Sequence, residues 1–337
     1  MWVAWRQQRS IIVVFLLVAM VLAVWILITG LHQQSLWHQF LSKPCRGDVG
    51  VTAINQSACG LLQLSVFNAG RYNLFTQFLA EGLGPLFGLV LGVTAVASEL
   101  ERGTARLAWT QSESRVRWLA SKFLVSIASM VVILAPLSFL LSWWVGASSL
   151  TRMAPKNFPI AGFLEVAYAL LCFALVVAIG LLVRRAAWVF AIGLVLFVAL
   201  FFTMQLQVRP NLVTPSVAAL ASVQVTQGST SGFYSSGGAP ASSWFLSQGF
   251  EPKGAKGVPS SSLENSSTNE MYRCEGVPQP GVNTYPYCLK HLGLRSIETY
   301  VPDSQFWTLQ FLEGGIYVLL AALLAAVAFL GVRRAKV

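Results

Sequence analysis

Apolar residues fall along this chain in six long blocks, Ile11 to Gly30, Phe75 to Ser98, Trp118 to Gly146, Ile160 to Val183, Ala187 to Val208 and Phe306 to Val332, divided by polar segments of very unequal length. A helix needs about 20 apolar residues to cross the hydrocarbon core of a bilayer, so the pattern predicts six transmembrane helices. The first block exceeds the apolar run of about 7 to 15 residues of a secretory signal, and no small-residue cleavage site closes it, which favours a retained helix. The third is long enough to begin in the interface. The second carries Gly82, Gly84, Pro85, Gly88 and Gly92; small residues at this spacing let helices approach closely, or else give flexibility facing lipid.

Composition points the same way. Of 337 residues, 55% are hydrophobic and 11% charged, with a mean hydropathy of +0.64, whereas a soluble domain carries about 25% charged residues. The net charge of +10 invites a nucleic-acid reading. In so apolar a chain it is explained more simply by the Lys/Arg bias of cytoplasmic loops, and no nucleic-acid partner is expected.

With the N-terminus inside, the short cytoplasmic pieces hold Arg6, Arg9, Arg102, Arg106, Arg115, Arg117, Lys122, Arg184, Arg185, Arg333, Arg334 and Lys336, roughly half of all Lys and Arg. Both termini are therefore expected in the cytoplasm of a multi-pass plasma-membrane protein. The expected division is 1–30 for an N-terminal cytoplasmic segment and first span, 31–76 for an external loop and 77–98 for the second span. A cytoplasmic segment over 99–117 follows, then 118–208 for spans three to five, 209–305 for a large external subdomain, and 306–337 for the sixth span and tail. The stretches QGSTSGFYSSGGAPASSW and GAKGVPSSSLENSSTN predict that the subdomain is irregular. No internal repeat of fixed period occurs.

Cys45, Cys59, Cys274 and Cys288 fall in the two external segments, while Cys172 lies in a span. Oxidising surroundings favour disulfides, and an even number outside fits two bridges. Three pairings are open. Cys45 with Cys59 and Cys274 with Cys288 is the expected set, because each closes a short loop. Cys288 and His291, with His32 and His38, complete no zinc pattern, and no metal site is expected.

The segment SELERGTARLAWTQSESRVRWLASKF, Ser98 to Phe123, is the one long stretch that mixes charge, glycine, tryptophan and amide at high density. Ser98-x-x-Glu101 and Thr110-x-x-Glu113 match the capping-box pattern of a helix start, and Gly103 can turn the chain between them. The expected layout is a span leaving the bilayer near Glu99, a turn at Gly103, a short helix over Ala105 to Trp109, and a new helix capped at Thr110. Glu113 and Arg117 are spaced for an ion pair, and Trp109 and Trp118 suit the interface. Arg102, Arg106, Arg115 and Lys122 read individually as snorkelling anchors. Such complexity is unnecessary in a simple return loop, and a docking surface for a cytoplasmic partner explains it better.

The run from Glu99 to Lys122, E-x-E-x-G-T-x-R-x-x-W-T-Q-S-x-x-R-x-R-W-L-x-x-K, resembles the segment between the second and third spans of ABC-2 type ABC transporter permeases, the actinobacterial-like six-span subunits in particular. Tyr300-Val301-Pro302, Phe306-Trp307, Gln310 and Glu313-Gly314-Gly315 resemble the approach to the sixth span of the same proteins. The external loops show no such likeness. The resemblance implies an all-α polytopic membrane protein with the type V exporter-like permease fold and a large irregular extracellular region before the last helix. It implies that Glu99, Glu101, Arg102, Gly103, Thr104, Trp109, Thr110, Gln111, Arg115, Arg117 and Trp118 couple the chain to a separate ATPase, with Glu101 and Arg115 foremost. Phe306, Trp307, Gln310 and Glu313 would mark a pathway or re-entrant region.

No G-x-x-x-x-G-K-[ST] phosphate loop, H-E-x-x-H helix or G-x-S-x-G elbow occurs. The chain is thus expected to be no enzyme and to bind no cofactor, with ATP and Mg belonging to the partner. Ionisable groups within spans are functional candidates; Glu81 and Glu165 lie near expected external ends, where water can reach them. The leading reading is the permease subunit of an ATP-driven exporter of apolar or amphipathic cargo, paired with a second permease chain and two copies of a cytoplasmic ATPase. A receptor or sensor that signals from its external subdomain to a cytoplasmic partner is the alternative.

Overall fold

The computed structural model describes residues 2–42, 74–103, 114–147, 151–183, 185–219, 222–223, 235–236, 239–240, 242–252 and 294–334. They form two compact units: residues 1–209 with 307–337, and residues 210–306.

The first unit contains six helices long and apolar enough to cross a membrane. We number them α1 (Trp2–Ser42), α2 (Leu74–Glu101), α3 (Arg115–Ala147), α4 (Leu164–Leu182), α5 (Ala186–Thr203) and α6 (Phe306–Arg334). Helix α1 continues well past Leu31, where a loop was expected. Its apolar run ends there, but helical hydrogen bonding proceeds through His32, Gln33 and the residues beyond to Ser42. Helix α4 is the centre of the bundle. In its most apolar stretch 67% of residues are buried, against 22% in α1, in the fifth span and in α6.

The glycines of α2 explain how α4 is enclosed. A Cβ on Gly84 would meet the backbone and carboxylate of Glu165, one on Gly88 the backbone of Ala169, and one on Gly92 the side chain of Val176 and the backbone of Phe173. Residues four apart lie on one helix face, so the three form a seam against which α4 lies nearly backbone to backbone. Van der Waals packing at short range holds such a pair, since lipid and leucine are equally apolar. Thr29 accepts a hydrogen bond from Trp144 Nε1 at 3.1 Å, and Thr76 accepts one from Trp25 Nε1 at 2.9 Å, fastening α1 to α3 and α2.

Before α4 the chain does not continue the apolar block back to Ile160 as a regular helix. Residues 151–163 form successive turns whose backbone pairs within itself, as in Phe158 N–H to Ala154 O and Ala161 N–H to Asn157 O, both at 2.9 Å. Met153, Asn157, Phe158 and Ile160 are buried there. Asn157 holds the turns to α2 by accepting from Gln77 Nε2 at 2.6 Å and donating to Thr151 O at 2.8 Å. Irregular backbone in a bundle is tolerated where its polar groups are satisfied in this way.

The second unit departs from an all-α reading. Strands β1 (Ser216–Ala219), β2 (Ser222–Val223), β3 (Ser235–Ser236), β4 (Trp244–Pro252) and β5 (Leu294–Val301) form an antiparallel sheet of order β1-β5-β4 and a small β2-β3 pair. Val217 pairs with Thr299 and Phe245 with Tyr300, with a bulge between Phe245 and Ser247. The glycine- and serine-rich stretches dominate the composition of this region and concealed β4, with its aromatic residues, and β5, rich in β-branched and aromatic residues.

Candidate functional site

Two polar clusters sit at opposite ends of the helical unit. The first lies where α2 ends and α3 begins, at the root of the segment singled out by its charge. Helix α2 passes through a π turn at Val93–Ala97 and ends at Glu101. Arg102 N–H bonds Ser98 O at 3.1 Å and Gly103 N–H bonds Leu100 O at 3.3 Å; Gly103 then adopts φ +73°, a left-handed turn that glycine makes without a Cβ clash. Ser98 therefore opens no helix. Its hydroxyl donates back to Thr94 O at 2.8 Å in the middle of a continuing one. On the return, Ser114 Oγ accepts from Arg117 N–H at 3.3 Å and caps α3. The predicted Thr110 cap, the short helix over Ala105 to Trp109 and the Glu113 pair with Arg117 fall outside the described residues.

Glu99 and Lys122 meet at 2.5 Å across this root. Lys122 is buried, against the expectation of a snorkelling anchor: its ammonium also donates to Gln7 Oε1 of α1 at 3.0 Å and lies 5.2 Å from the Trp118 ring centroid. Beside it, Ser126 donates to Gln8 at 3.2 Å. One cation thus gathers the ends of α1, α2 and α3. Glu101, exposed, reaches a fourth helix, accepting from the backbone N–H of Ala186 at 2.9 Å.

The second cluster lies at the far end of the fifth span. Past Thr203 the helix widens into a π turn, Met204–Val208, and then tightens into a 3₁₀ turn, Arg209–Asn211. Arg209, expected at the start of an external loop, is turned inward and fully buried. Its Nε and Nη2 donate to the two carboxylate oxygens of Glu313 at 2.7 and 2.8 Å. The guanidinium lies 4.5 Å from the Phe158 ring centroid, and Tyr168 donates to Glu313 at 3.4 Å while packing edge-on to Tyr317. Gln310 donates to Phe158 O at 2.9 Å and lies against Gly162. The cluster binds the buried turns, α4, α5 and α6 together. A π turn precedes the attachments at Glu99 and Glu101 at the end of α2 and the one at Arg209 beyond α5, a feature frequent at functional positions.

Glu165, expected within reach of water, is buried in the α2–α4 seam, where one carboxylate oxygen accepts from Gly84 N–H at 3.2 Å. Among the described residues no group of three or more metal-ligating side chains converges.

Comparison with protein families matches residues 16–209 to the family described as ABC-2 membrane transporter related, well over half of the chain. The chain belongs to that family. No curated protein and no solved structure matches it. An ABC-2 permease is the membrane subunit of a transporter, and such permeases normally work with a cytoplasmic ATPase. The matched residues run from within α1 to Arg209, and so include the root at Glu99, Glu101 and Lys122 but not α6 with Glu313.

In this permease the structure brings Glu99 and Trp118 to Lys122, with Glu101, Arg102 and Gly103 at the exit of α2 and Arg115 and Arg117 in the first turn of α3. Thr104, Trp109, Thr110 and Gln111 lie outside the described residues, as do Cys45, Cys59, Cys274 and Cys288. Cys172 is a buried free thiol in α4. Of the second patch, Gln310 and Glu313 join the buried cluster and Phe306 is buried, whereas Trp307 is half exposed and stacks toward Phe311. Lys122, Arg209, Tyr168 and Tyr317 were not singled out as site residues from the sequence. The one available signal was the rarity of ionisable groups in apolar blocks, which applies to Lys122 inside the third and to Arg209 just past the fifth.

Proposed function

We propose that this chain is the permease subunit of an ATP-driven exporter, in which the 102–114 segment seats on a separate cytoplasmic ATPase and passes its movement to the spans. The supporting observation is the construction of the segment's root: Glu99, Lys122 and Glu101 tie both flanks of the segment to four helices. A return loop needs no such fastening. In this reading both termini and the segment lie in the cytoplasm, residues 210–305 lie outside, two ATPase copies supply ATP and Mg, and a second permease chain completes the pathway. The cargo is apolar or amphipathic, an assignment that follows the family alone.

The test is to co-express the chain with the ATPase encoded beside it and purify through a tag on the permease. Co-purification of an ATPase with measurable ATP turnover supports the reading. The compact sheet unit over 210–306 favours a sensor as the second reading; failure of any ATPase to bind the wild-type chain would put the sensor first.

A further inference from the structure

We infer that Glu101 acts inside this chain, as a positioning residue that caps α5 and makes that helix the receiver of movement in the 102–114 segment. The inference rests on the coupling role proposed above, and it takes Glu101 away from the ATPase surface where the resemblance would put it.

The first turn of a helix leaves backbone N–H groups without partners, and a Ser, Thr, Asp or Asn before it normally satisfies one. Helix α5 has no such residue. Its N-cap is Arg185, in extended conformation with no side-chain cap, and its first turn contains no acidic residue. The acceptor comes from 85 residues away, as Glu101 Oε2 at 2.9 Å from Ala186 N–H. A carboxylate at that position also meets the positive end of the helix dipole.

The geometry around Glu101 makes this link directional. Its own helical turn is closed by the Arg102 and Gly103 backbone bonds, and the segment leaves immediately afterwards at the left-handed Gly103. Glu99, two residues away, is already committed to Lys122. Glu99 therefore joins the two flanks of the segment to each other, and Glu101 is the contact that carries them to a further helix.

That helix is well placed to move. In their most apolar stretches α2 and α4 are 61% and 67% buried, interlocked along the glycine seam, whereas the fifth span is 22% buried and approaches α4 at Gly193, beside Val176. A helix with most of its residues outside the bundle core, held by polar contacts at its two ends, Glu101 at one and Glu313 at the other, shifts at smaller cost than one buried along most of its length. The path is then segment, Glu101, α5, Arg209, Glu313 and α6.

The full chain, alone and with its ATPase, is compared as wild type, Glu101→Ala and Glu101→Gln by hydrogen–deuterium exchange, ATPase co-purification and ATP turnover. Gln retains a carbonyl acceptor but no charge, so it separates a backbone cap from an ion pair with a partner. Glu101→Ala should speed exchange of the Ala186 to Val189 amides about fivefold, the loss of one cap, while Gln stays within about twofold. In the complex, a non-hydrolysable ATP analogue should change exchange over Met204 to Arg209 in wild type and Gln but not in Ala, with the ATPase still bound to all three. Unchanged α5 exchange in Glu101→Ala, or loss of the ATPase from Glu101→Ala or Glu101→Gln, would overturn the inference. Failure of the wild type to bind an ATPase would overturn the proposed function instead, and the exchange of the chain alone would still decide whether Glu101 caps α5.

Discussion

Arg209 and Glu313, 104 residues apart in sequence, form a two-pronged ion pair at 2.7 and 2.8 Å in which both side chains are excluded from solvent. The fork of a guanidinium matches both oxygens of a carboxylate, and neither group has water to replace the other. The pair closes the end of the bundle where α5, α6 and the buried turns meet.

Removing one member leaves the other charged and buried. Arg209→Ala and Glu313→Ala are each expected to destabilise the protein by about 3–5 kcal/mol, read as a lower midpoint in detergent denaturation or loss of folded yield. The double substitution Arg209→Met with Glu313→Leu should recover most of that stability, because no uncompensated charge remains. If both singles unfold normally and the double is the worst of the three, the pair does not hold this end together.

Glu99 and Lys122 should respond asymmetrically. Lys122 is almost fully buried, while 13% of the Glu99 side chain is exposed. Glu99→Ala strands a buried ammonium and should cost about 3 kcal/mol. Lys122→Met keeps the apolar stem and leaves a carboxylate that water can reach, so it should cost less than about half as much. Equal losses in denaturation midpoints would contradict this account.

The glycine seam predicts a position-specific effect. Gly88→Ala drives a methyl group into the Ala169 backbone and should cost about 1–3 kcal/mol as α2 and α4 separate. Gly82→Ala, whose Cβ would come no closer than 4.0 Å to Leu86, should be neutral or slightly stabilising. The paired measurement separates close approach from helix propensity, which favours alanine at both sites.

Ser114 is the cap of α3, and Ser114→Ala should destabilise its first turn by about 1 kcal/mol. Faster exchange of the amides from Arg115 to Trp118, with the rest of α3 unchanged, is the expected signature.

Much of this architecture follows from local sequence. Six apolar blocks long enough to cross a bilayer become six helices because an apolar run in lipid must satisfy its own backbone. The turn at Gly103 was legible for a similar reason, since glycine relieves a clash that is local to one residue. Spacing also marked Gly82, Gly84, Gly88 and Gly92 as residues that let helices approach closely or give flexibility facing lipid, and the structure decided for close approach, with α4 as the partner at Gly84, Gly88 and Gly92.

What the linear order could not supply was every relationship between helices. Nothing near Lys122 in sequence distinguishes a buried, triply attached ammonium from a snorkelling one, nor Arg209 at a span's edge from the first residue of a loop. Glu101 reads as a capping-box and ATPase-coupling carboxylate until α5 is beside it without a cap of its own. Span length, composition and turn positions are set by each segment's exchange with its solvent, and the sequence alone determines them. Which charges are buried, and with whom, depends on helices that become neighbours only by packing, and that was decided by the tertiary structure.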